Sequence, residues 1–544
     1  MGAPMPLPLE NSENRIIIKF GAGINTVASP ADIAPMECAD GSKNFNLKLD
    51  NTELRRRSAF DLVATATNGE SINGYAQLEK QDGTLSTLIQ AGGTVYEWDG
   101  TATGFTSVGA VNSGAKLRGP RQTHNFTLDE KVIITDLSLV QVVMEWDGTT
   151  FQAMSTNLAT DFFAKYLLVH DERGFFANVI ATTATPHMIV GSKLSDINTL
   201  SVTDRPSSAL NVEDPFFLLT PDLRPVNFIV EAFGLINFSS REGRIFKLSG
   251  TDAKDFSIAE LYANSGAVGD EAMAFIGNDV AYGRAGKIET LFATDRLGDV
   301  ATDDLSRWIA NLVTEIDDWA VIFNPRFQKI YFFSNKQEFL GVFQKDFIDE
   351  NVRRISFGEE VSDLSPWSIY ETTHPLNFQP ITAWVMRRPT DGLETTYMGG
   401  PDGAIYEMEG NGGQDGGTDD INVVRLSKMF EGPPDSQVSD VNGWLSFRPL
   451  FQETVNYTLE FSGRELKEQG PTALVLTPSP NAPVFGGAVY FGGLFYFGQK
   501  YDGRYTRKTI SSPGSSEVFQ VRLEAGGAKE FIIQEAGFEF VATT

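Results

Sequence analysis

The chain has 544 residues, long enough for two to four domains, and its 41% hydrophobic and 21% charged content is that of a folded protein. A total of 44 Lys and Arg against 71 Asp and Glu gives a net charge of −27, which argues against a surface built to neutralise nucleic-acid phosphates and is explained by simple solubility. A lone cysteine, Cys38, excludes an intramolecular disulfide, and four scattered histidines offer no zinc-type cluster, so we expect no cofactor or metal.

The beginning of the chain predicts no targeting segment. The first eight residues lack the basic-then-apolar order of a signal peptide, and no run of about 18 apolar residues occurs. We therefore expect no membrane segment and a chain that folds in a cytoplasm. Residues 1–57 are predicted to form an extended N-terminal arm with short strands. It ends in the densest basic cluster of the chain, Arg55, Arg56 and Arg57, which is either a partner contact or a solvated strand end.

A repeated hairpin organises residues 58–415. The stretch VYEWDGT at 95–101 returns as VMEWDGT at 143–149, and degenerate copies occupy 404–410 and 244–250. An alternating strand that ends in Asp-Gly is typical of a β-hairpin, because the glycine supplies the positive φ of a tight turn. A period of about 40–50 residues is typical of a propeller with four-stranded blades. The alternative is that unrelated hairpins match by chance. Six or seven blades fit this length, with one helical insertion predicted near 303–316.

The glycine-rich stretch 410–417 predicts a domain boundary, since such a sequence neither packs nor holds one backbone conformation. Beyond it, residues 421–544 show strands of period two, which favours a small β-sandwich. The fold class predicted for the chain is therefore all-β: a degenerate β-propeller of 6–7 blades, an additional C-terminal β-sandwich-like domain and the extended N-terminal arm.

An aromatic, glycine-rich stretch at 484–498 is too apolar for an ordinary surface loop. It is either a core hairpin or a flexible loop that a partner subunit buries, since a large exposed apolar patch normally marks an interface. The candidate interface residues are the aromatic ones: Phe485, Tyr490, Phe491, Phe495, Tyr496 and Phe497.

No pattern of residues favours catalysis. The sequence contains no G-x-S-x-G elbow, P-loop or H-E-x-x-H motif, and no pair of carboxylates stands out as an acid with a nucleophile. The repeated Asp-box turns of glycan-cleaving propellers are missing as well. We therefore predict no enzymatic activity. A propeller that binds glycans without cleaving them remains an alternative function, although such secreted proteins usually carry a signal peptide and disulfides.

Three features together resemble the tail nozzle, or packaged-DNA stabilisation, proteins of short-tailed bacteriophages. The first is the opening, in which the Gly-x-Asn turn of 23–26 precedes the SKNF segment at 42–45 and ELRRRS at 53–58. The second is the degenerate propeller with its YEWDG-type hairpins. The third is the C-terminal β module with its aromatic loop and a final F-x-F strand. Ser58 stands where many relatives carry glycine after the arginine.

The resemblance implies a structural protein of the virion tail, assembled in the cytoplasm of the bacterial host. Such proteins form a homo-oligomeric ring, usually a homohexamer, below the portal and its adaptor protein, with other tail proteins or fibres around it. The ring extends the DNA channel, helps to retain the genome and releases it at DNA ejection, without sequence-specific DNA contacts. An acidic bore would let the duplex slide. A heterologous ring needs two patches on each subunit, for which 484–498 and 1–57 are the candidates.

Overall fold

The computed structural model describes residues 15–19, 22–28, 32, 37–47, 54–119, 131–232, 235–240, 243–262, 266–277, 279–293, 300–316, 318–334, 340–345, 365–371, 382–410, 414–431, 437–448, 453–462, 472–476, 506–512, 518–525 and 532–543. In this part of the chain β-strands dominate. The helical elements here are a 3₁₀ turn at Leu305–Trp308 and a four-residue helix, α1, at Ala310–Val313.

The strands of the first half of the chain are β1 (Arg15–Lys19), β2 (Phe45–Asn46), β3 (Leu54–Arg56), β4 (Ala59–Thr65), β5 (Ile72–Glu79), β6 (Leu85–Ala91), β7 (Thr94–Trp98), β8 (Phe105–Ala110), β9 (Leu117–Arg118), β10 (Val132–Asp136), β11 (Met144–Trp146), β12 (Phe151–Ala153), β13 (Phe163–His170), β14 (Arg173–Ile180), β15 (Ala184–Gly191), β16 (Phe216–Leu219), β17 (Val226–Ala232), β18 (Leu235–Ser240), β19 (Ile245–Ser249) and β20 (Ser257–Tyr262). Those of the second half are β21 (Met273–Phe275), β22 (Val280–Arg284), β23 (Lys287–Ala293), β24 (Val300–Asp304), β25 (Ala320–Asn324), β26 (Lys329–Phe333), β27 (Leu340–Gln344), β28 (Trp367–Tyr370), β29 (Thr382–Arg387), β30 (Glu394–Gly399), β31 (Ala404–Gly410), β32 (Gln414–Asp415), β33 (Asp419–Asp420), β34 (Val423–Glu431), β35 (Gln437–Arg448), β36 (Glu453–Ser462), β37 (Thr472–Leu476), β38 (Thr506–Ser512), β39 (Val518–Ala525) and β40 (Ile532–Thr543).

The chain divides into two compact units. The first consists of residues 1–59, 341–372 and 411–544, and the second of residues 60–340 and 373–410. The predicted arm 1–57 and the predicted C-terminal domain 421–544 therefore fall in the same unit. The predicted propeller region 58–415 covers the second unit, together with the stretch 341–372 that belongs to the first.

The second unit is a β-propeller, which confirms the predicted fold class. Strands β5–β8 and β9–β12 form two blades in one eight-stranded sheet, joined where β9 pairs parallel with β5. The following blades are β13–β16, β17–β20 and β21–β24, each in chain order. The hairpin of β25 and β26 begins the sixth blade, and β29, β30, β31 and β4 form the seventh. The innermost strands pack side by side from β5 to β29, and β29 packs against β5, which closes the ring.

The repeated hairpin has one structural role in all four copies. Its strand is β7, β11, β19 or β31, and each of these is the third strand of its blade. Trp98 is buried in the core between the seventh and first blades, whereas Trp146 is buried in the core between the first and second. Each tryptophan therefore fills the gap towards the preceding blade. The two copies that contain tryptophan therefore make equivalent packing contacts at two successive gaps between blades.

The Asp-Gly turns adopt the backbone that the sequence predicts. Gly100 and Gly148 have φ values of 86° and 87°, which favour glycine over residues with a Cβ. The carboxylate of Asp147 accepts hydrogen bonds from the backbone N–H groups of Thr150 and Thr149, at 2.7 and 2.8 Å. The hydrogen bond from Thr150 is the largest cause of the lowered pKa of Asp147. The carboxylate therefore stabilises the turn in its charged form.

We expect Asp147→Asn to lower the melting temperature at pH 7, and the difference from wild type to shrink as the pH falls below about 4. The pKa of Asp147 is lower in the folded than in the unfolded chain, so its contribution is present above the unfolded pKa and is lost as the pH falls through the folded one. Thermal unfolding from pH 7 to about pH 3 measures this. Glu315→Gln, at an exposed site, is the control, and a difference that is constant with pH would contradict the prediction.

The first unit joins both ends of the chain in one antiparallel sheet. Strand β40 pairs with β1, β3 and β35, while β2 extends the sheet beyond β3 and β38 extends it beyond β35. A second sheet has the order β34-β39-β36-β37. The unit also holds the short hairpin of β32 and β33 and the strand β28. Strands β1 and β3 of the predicted arm are thus paired with the C-terminal strand β40.

The helix predicted over 303–316 is much shorter in the structure. Residues 300–304 continue as β24, in which Asp303 pairs with Thr290 of β23. The carboxylate of Asp304 then accepts a hydrogen bond from the backbone N–H of Ser306 at 2.9 Å and caps the 3₁₀ turn. Asp303 and Asp304 therefore belong to β24, and the next residues form the 3₁₀ turn before α1 begins at Ala310.

Candidate functional site

The six aromatic residues predicted at a subunit interface lie outside the described residues. Phe485, Tyr490, Phe491, Phe495, Tyr496 and Phe497 belong to the stretch 484–498. This stretch comes shortly before β38 in the chain. Their role at an interface stays a prediction.

The basic cluster Arg55–Arg57 occupies the end of β3 and the residue after it. Arg55 pairs with Ile532 of β40 through the backbone, and the structure does not describe its side chain. Arg56 and Arg57 are buried in the first unit. A solvated strand end does not describe these two arginines, and their charges do not form a surface patch for a partner.

Arg57 is the centre of a buried polar cluster. Its guanidinium makes a bidentate ion pair with the carboxylate of Asp415, with one N–O distance of 2.8 Å, and both side chains are at most 1% exposed. Its Nε donates to Oδ1 of Asn44 at 2.9 Å, and its Nη2 donates to the carbonyl of Glu371 at 3.0 Å. The guanidinium also lies 5.5 Å from the ring centroid of Tyr370. One side chain therefore ties together four segments of the first unit.

In the glycine-rich stretch 410–417, the last four residues are ordered, whereas the sequence predicts a segment without one fixed backbone conformation. The backbone of 414–417 is ordered by the pairing of β32 with β33, and Gly416 and Gly417 adopt positive φ in the turn between them. Asp415 is buried because its carboxylate faces Arg57. The inference that glycines prevent packing is wrong here, since a buried ion pair fixes the segment.

The propeller contains a cavity of about 590 Å³, which we call the axial channel. Residues from the innermost strand of every blade line it, and most of them are apolar. The polar lining residues are Arg118, Thr135, Lys165, Glu231, Asp270, Glu271 and Glu394, together with the ring hydroxyls of Tyr75 and Tyr166. A cavity of this size with few polar groups has the properties of a small-molecule site.

Arg118 links opposite sides of the axial channel. Its Nε and Nη2 donate to the two carboxylate oxygens of Glu271 at 2.9 and 3.2 Å, and both side chains are largely buried. The guanidinium also lies 5.5 Å from the ring centroid of Tyr75, which stacks on Trp384 with centroids 5.2 Å apart. The positive charge of Arg118 is therefore compensated within the lining.

Further carboxylates reach the same channel. Asp270 accepts hydrogen bonds from Nζ of Lys165 at 3.1 Å and from the hydroxyl of Tyr166 at 3.2 Å, and its side chain is 54% exposed. Glu231 lies 3.3 Å from Nδ1 of His170. Glu394 forms no ion pair among the described residues. Carboxylates thus outnumber cations in the lining, so the channel disfavours anionic ligands.

Two residues of the channel lining have unusual environments. Phe275 is an exposed aromatic residue, although it sits on the innermost strand of its blade. Trp384 is almost fully buried, and its indole N–H has no hydrogen-bond partner within the described part of the chain. A buried donor without a partner costs free energy. No local sequence pattern predicts this site, because each strand supplies only a few of its residues.

The other His, Cys, Asp and Glu side chains of the described residues offer no candidate metal site. No set of three or more His, Cys, Asp or Glu side chains there is placed to hold a metal ion. Burial raises the pKa of the Cys38 thiol to about 11, and its sulfur lies 3.2 Å from Nη1 of Arg425. A thiol with such a pKa is a poor nucleophile at neutral pH. None of the described helices is long and apolar enough to cross a membrane.

Comparisons with known proteins find similarity among solved structures. No protein-family model and no curated protein sequence matches the chain. The WD40 domain of Toxoplasma gondii coronin matches with a TM-score of 0.36 and 9% identity, over 67% of this chain and 86% of that one. BBS1N, solved in complex with ARL6DN, matches with a TM-score of 0.38 and 10% identity, over 65% of this chain and 98% of that one. Kluyveromyces lactis Hsv2 matches with a TM-score of 0.34 and 15% identity, over 60% of this chain and 93% of that one. At these TM-scores we base no functional statement on the matches.

Proposed function

We propose that this chain is a structural protein of a bacteriophage tail, a nozzle or tail-tube subunit that works without catalysis. Copies of it form a ring, of six in the expected arrangement, which extends the DNA channel below the portal and adaptor and helps to retain and release the genome. Its neighbours are the adaptor protein and other tail proteins or fibres, and genomic DNA passes through without sequence-specific contacts. The acidic chain, with its net charge of −27, suits a bore along which a duplex slides.

One observation in the first unit carries this proposal. Both ends of the chain meet in a single antiparallel sheet, and β38 has a strand partner on one side only, β35, among the described strands. A strand with a free edge is a template for pairing with another chain. The aromatic stretch 484–498 comes shortly before β38, so apolar side chains lie close in the sequence to a strand that has one partner among the described strands. A second copy of this chain would satisfy both.

The symmetry of a ring fits such an edge. A heterologous interface joins two different patches, and repeated rotation then closes the assembly. In this proposal the stretch 484–498 with β38 supplies one patch, and the opposite end of the same sheet, where β2 is the last strand, supplies the other. The propeller unit consists of residues 60–340 and 373–410, so both patches belong to the first unit.

We expect the purified full chain, or virions that contain it, to show a ring with an open axis in electron micrographs. A variant with Tyr490, Phe491, Tyr496 and Phe497 changed to serine is expected to keep its circular dichroism spectrum and lose the ring. The reason is that, in this proposal, these aromatic side chains pack against a neighbouring copy, and serine removes that apolar contact. Leu62→Ser with Leu393→Ser, at exposed apolar sites of the propeller, is the matched control and is expected to assemble normally.

Virions give the decisive result, because rings of this kind often assemble only on a template. Mass spectrometry establishes whether the chain is present in purified particles, and cryo-electron microscopy locates it. Particles that contain the chain without any axial ring of it would overturn the proposal, as would a ring that survives the four-serine variant unchanged.

A further inference from the structure

The axial channel has a chemistry that the proposed function does not use. It is a cavity of about 590 Å³ whose mostly apolar lining comes entirely from the second unit. Small-molecule sites have volumes of roughly 300–1,000 Å³ and combine an apolar wall with a few polar groups. We propose that the axial channel binds a linear polyamine, in which methylene groups separate the ammonium groups.

The cations of the lining lie at one end of the axial channel. The blades repeat by rotation about the axis, so their innermost strands run in the same direction. The two cationic lining residues are Arg118 and Lys165. They bind Glu271 and Asp270, which shortly precede the innermost strand β21. Both cations are therefore compensated at the end of the channel where the innermost strands begin.

The opposite end, which we call the acidic end, carries negative charge. Glu231 lies near the end of β17, and Glu394 lies opposite Arg387, the last residue of β29. Arg387 makes an ion pair with Glu79. His170 lies beside Glu231 and is charged only when it is protonated. Among the described lining residues, no Lys or Arg comes from this end. A negative potential in a cavity with an apolar wall favours a cation over a neutral or anionic ligand.

An exposed aromatic ring lies at the same end of the channel. Phe275 is the last residue of β21, and 37% of its surface is exposed. Within the described part of the chain, it is the one aromatic residue among the exposed large hydrophobic side chains. The face of an aromatic ring attracts a cation and also packs against methylene groups. An alkylammonium ligand therefore offers Phe275 both kinds of contact.

The spread of the carboxylates selects a polyamine over a metal ion. In the described residues, no three His, Cys, Asp or Glu side chains come together as metal ligands. At the acidic end the carboxylates alternate with apolar lining residues, which include Val169, Ala232, Phe323 and Pro325. Ammonium groups on one chain can reach separate carboxylates, while the methylene groups between them replace water on the apolar wall. A linear polyamine therefore uses both parts of the lining.

The experiment uses the full chain at pH 8, where an ordinary histidine carries little charge. Salt at about 150 mM screens the general attraction of cations to a protein with a net charge of −27. Calorimetry measures the binding of spermidine, and methylammonium, Mg²⁺, maltose and inorganic phosphate represent the competing classes. We expect one spermidine to bind per chain. Glu394→Gln and Phe275→Ala are each expected to weaken it by about tenfold, as for the loss of one contact to a charged or aromatic group.

Two variants outside the channel lining separate a site from general attraction to an acidic protein. Glu315→Gln removes the same charge as Glu394→Gln at an exposed position, and Leu62→Ala removes an exposed apolar side chain. Both are expected to leave spermidine binding unchanged. Circular dichroism establishes that each variant is folded. Glu231→Gln, on another strand, takes the place of Glu394→Gln if that variant does not fold.

Failure of spermidine to bind at about 10 mM, a concentration at which a millimolar site is largely filled, would overturn the inference. Equal or tighter binding of any of the four competing probes would also overturn it, as would spermidine binding that survives both channel variants. Ring formation is measured separately, so either proposal can fail while the other holds.

Discussion

Asp415→Asn is expected to destabilise the first unit by about 3–5 kcal/mol, the usual cost of removing one partner of a buried ion pair. The substitution leaves the guanidinium of Arg57 in a site where both side chains are at most 1% exposed. A lone buried charge loses its hydration without gaining an equivalent partner. Arg57 also donates to Asn44 and to the carbonyls of Ser58 and Glu371, but these are neutral acceptors and do not replace the lost carboxylate.

Urea unfolding and hydrogen exchange measure this effect. Faster exchange is expected in peptides that cover 44–47, 365–371 and 414–420, because Arg57 ties these segments together. The double variant Arg57→Met with Asp415→Leu is expected to recover most of the stability, since apolar replacements of a buried pair are often neutral or stabilising. Glu260→Gln breaks an exposed pair with Arg244 and is expected to cost at most about 1 kcal/mol. An Asp415→Asn variant as stable as this control would contradict the prediction.

Glu409→Gln is expected to destabilise the propeller by a similar amount, about 3–5 kcal/mol. The carboxylate of Glu409 accepts hydrogen bonds from Nζ of Lys329 at 2.7 Å and from the hydroxyl of Tyr331 at 3.0 Å. The side chains of Lys329 and Glu409 are 7% and 3% exposed, so water cannot solvate the ammonium when the carboxylate is neutralised. This pair joins the sixth blade to the end of β31 in the seventh.

The backbone conformation of Glu409 leads to a second prediction about the stability of the propeller. Its φ of 59° is uncommon for a residue with a side chain, so the ion pair holds the end of β31 in a conformation that costs free energy. We expect Lys329→Met with Glu409→Gly to be more stable than Lys329→Met alone, because glycine adopts positive φ without strain and removes the buried carboxylate that has lost the ammonium of Lys329. Denaturant unfolding of the three variants decides this. A double variant that is less stable than Lys329→Met would contradict the assignment of strain.

The sequence predicts those parts of the fold that depend on local spacing. The Asp-Gly turns after Trp98 and Trp146 can be predicted from the sequence, because the need for glycine at positive φ is local. The propeller is readable because the same gap between blades recurs and each copy of the hairpin fills it. Strand order within a blade follows from short connections between antiparallel neighbours.

Long-range pairing is what the sequence does not reveal. Read alone, the arginines at 55–57 favour a solvated strand end, and the glycines around Asp415 favour a flexible linker. The ion pair between Arg57 and Asp415 is visible only in the folded structure, and it contradicts both interpretations. Each residue of the pair therefore predicts the wrong environment for itself. The axial channel has the same difficulty, since its lining extends from Tyr75 to Glu394 with a few residues from each strand.

The pairing of β4 with β31 determines when the propeller can close during synthesis on the ribosome. Strand β4 is synthesised before any complete blade, yet its partner in the seventh blade, β31, emerges about 340 residues later. At translation rates of about 5–20 residues per second, this delay is roughly 20–70 seconds. During that time the nascent chain carries an unpaired strand, and six blades stand in an open arc. A message truncated before codon 404 would therefore yield a product that cannot close, and such a product is a natural substrate for chaperones and proteases.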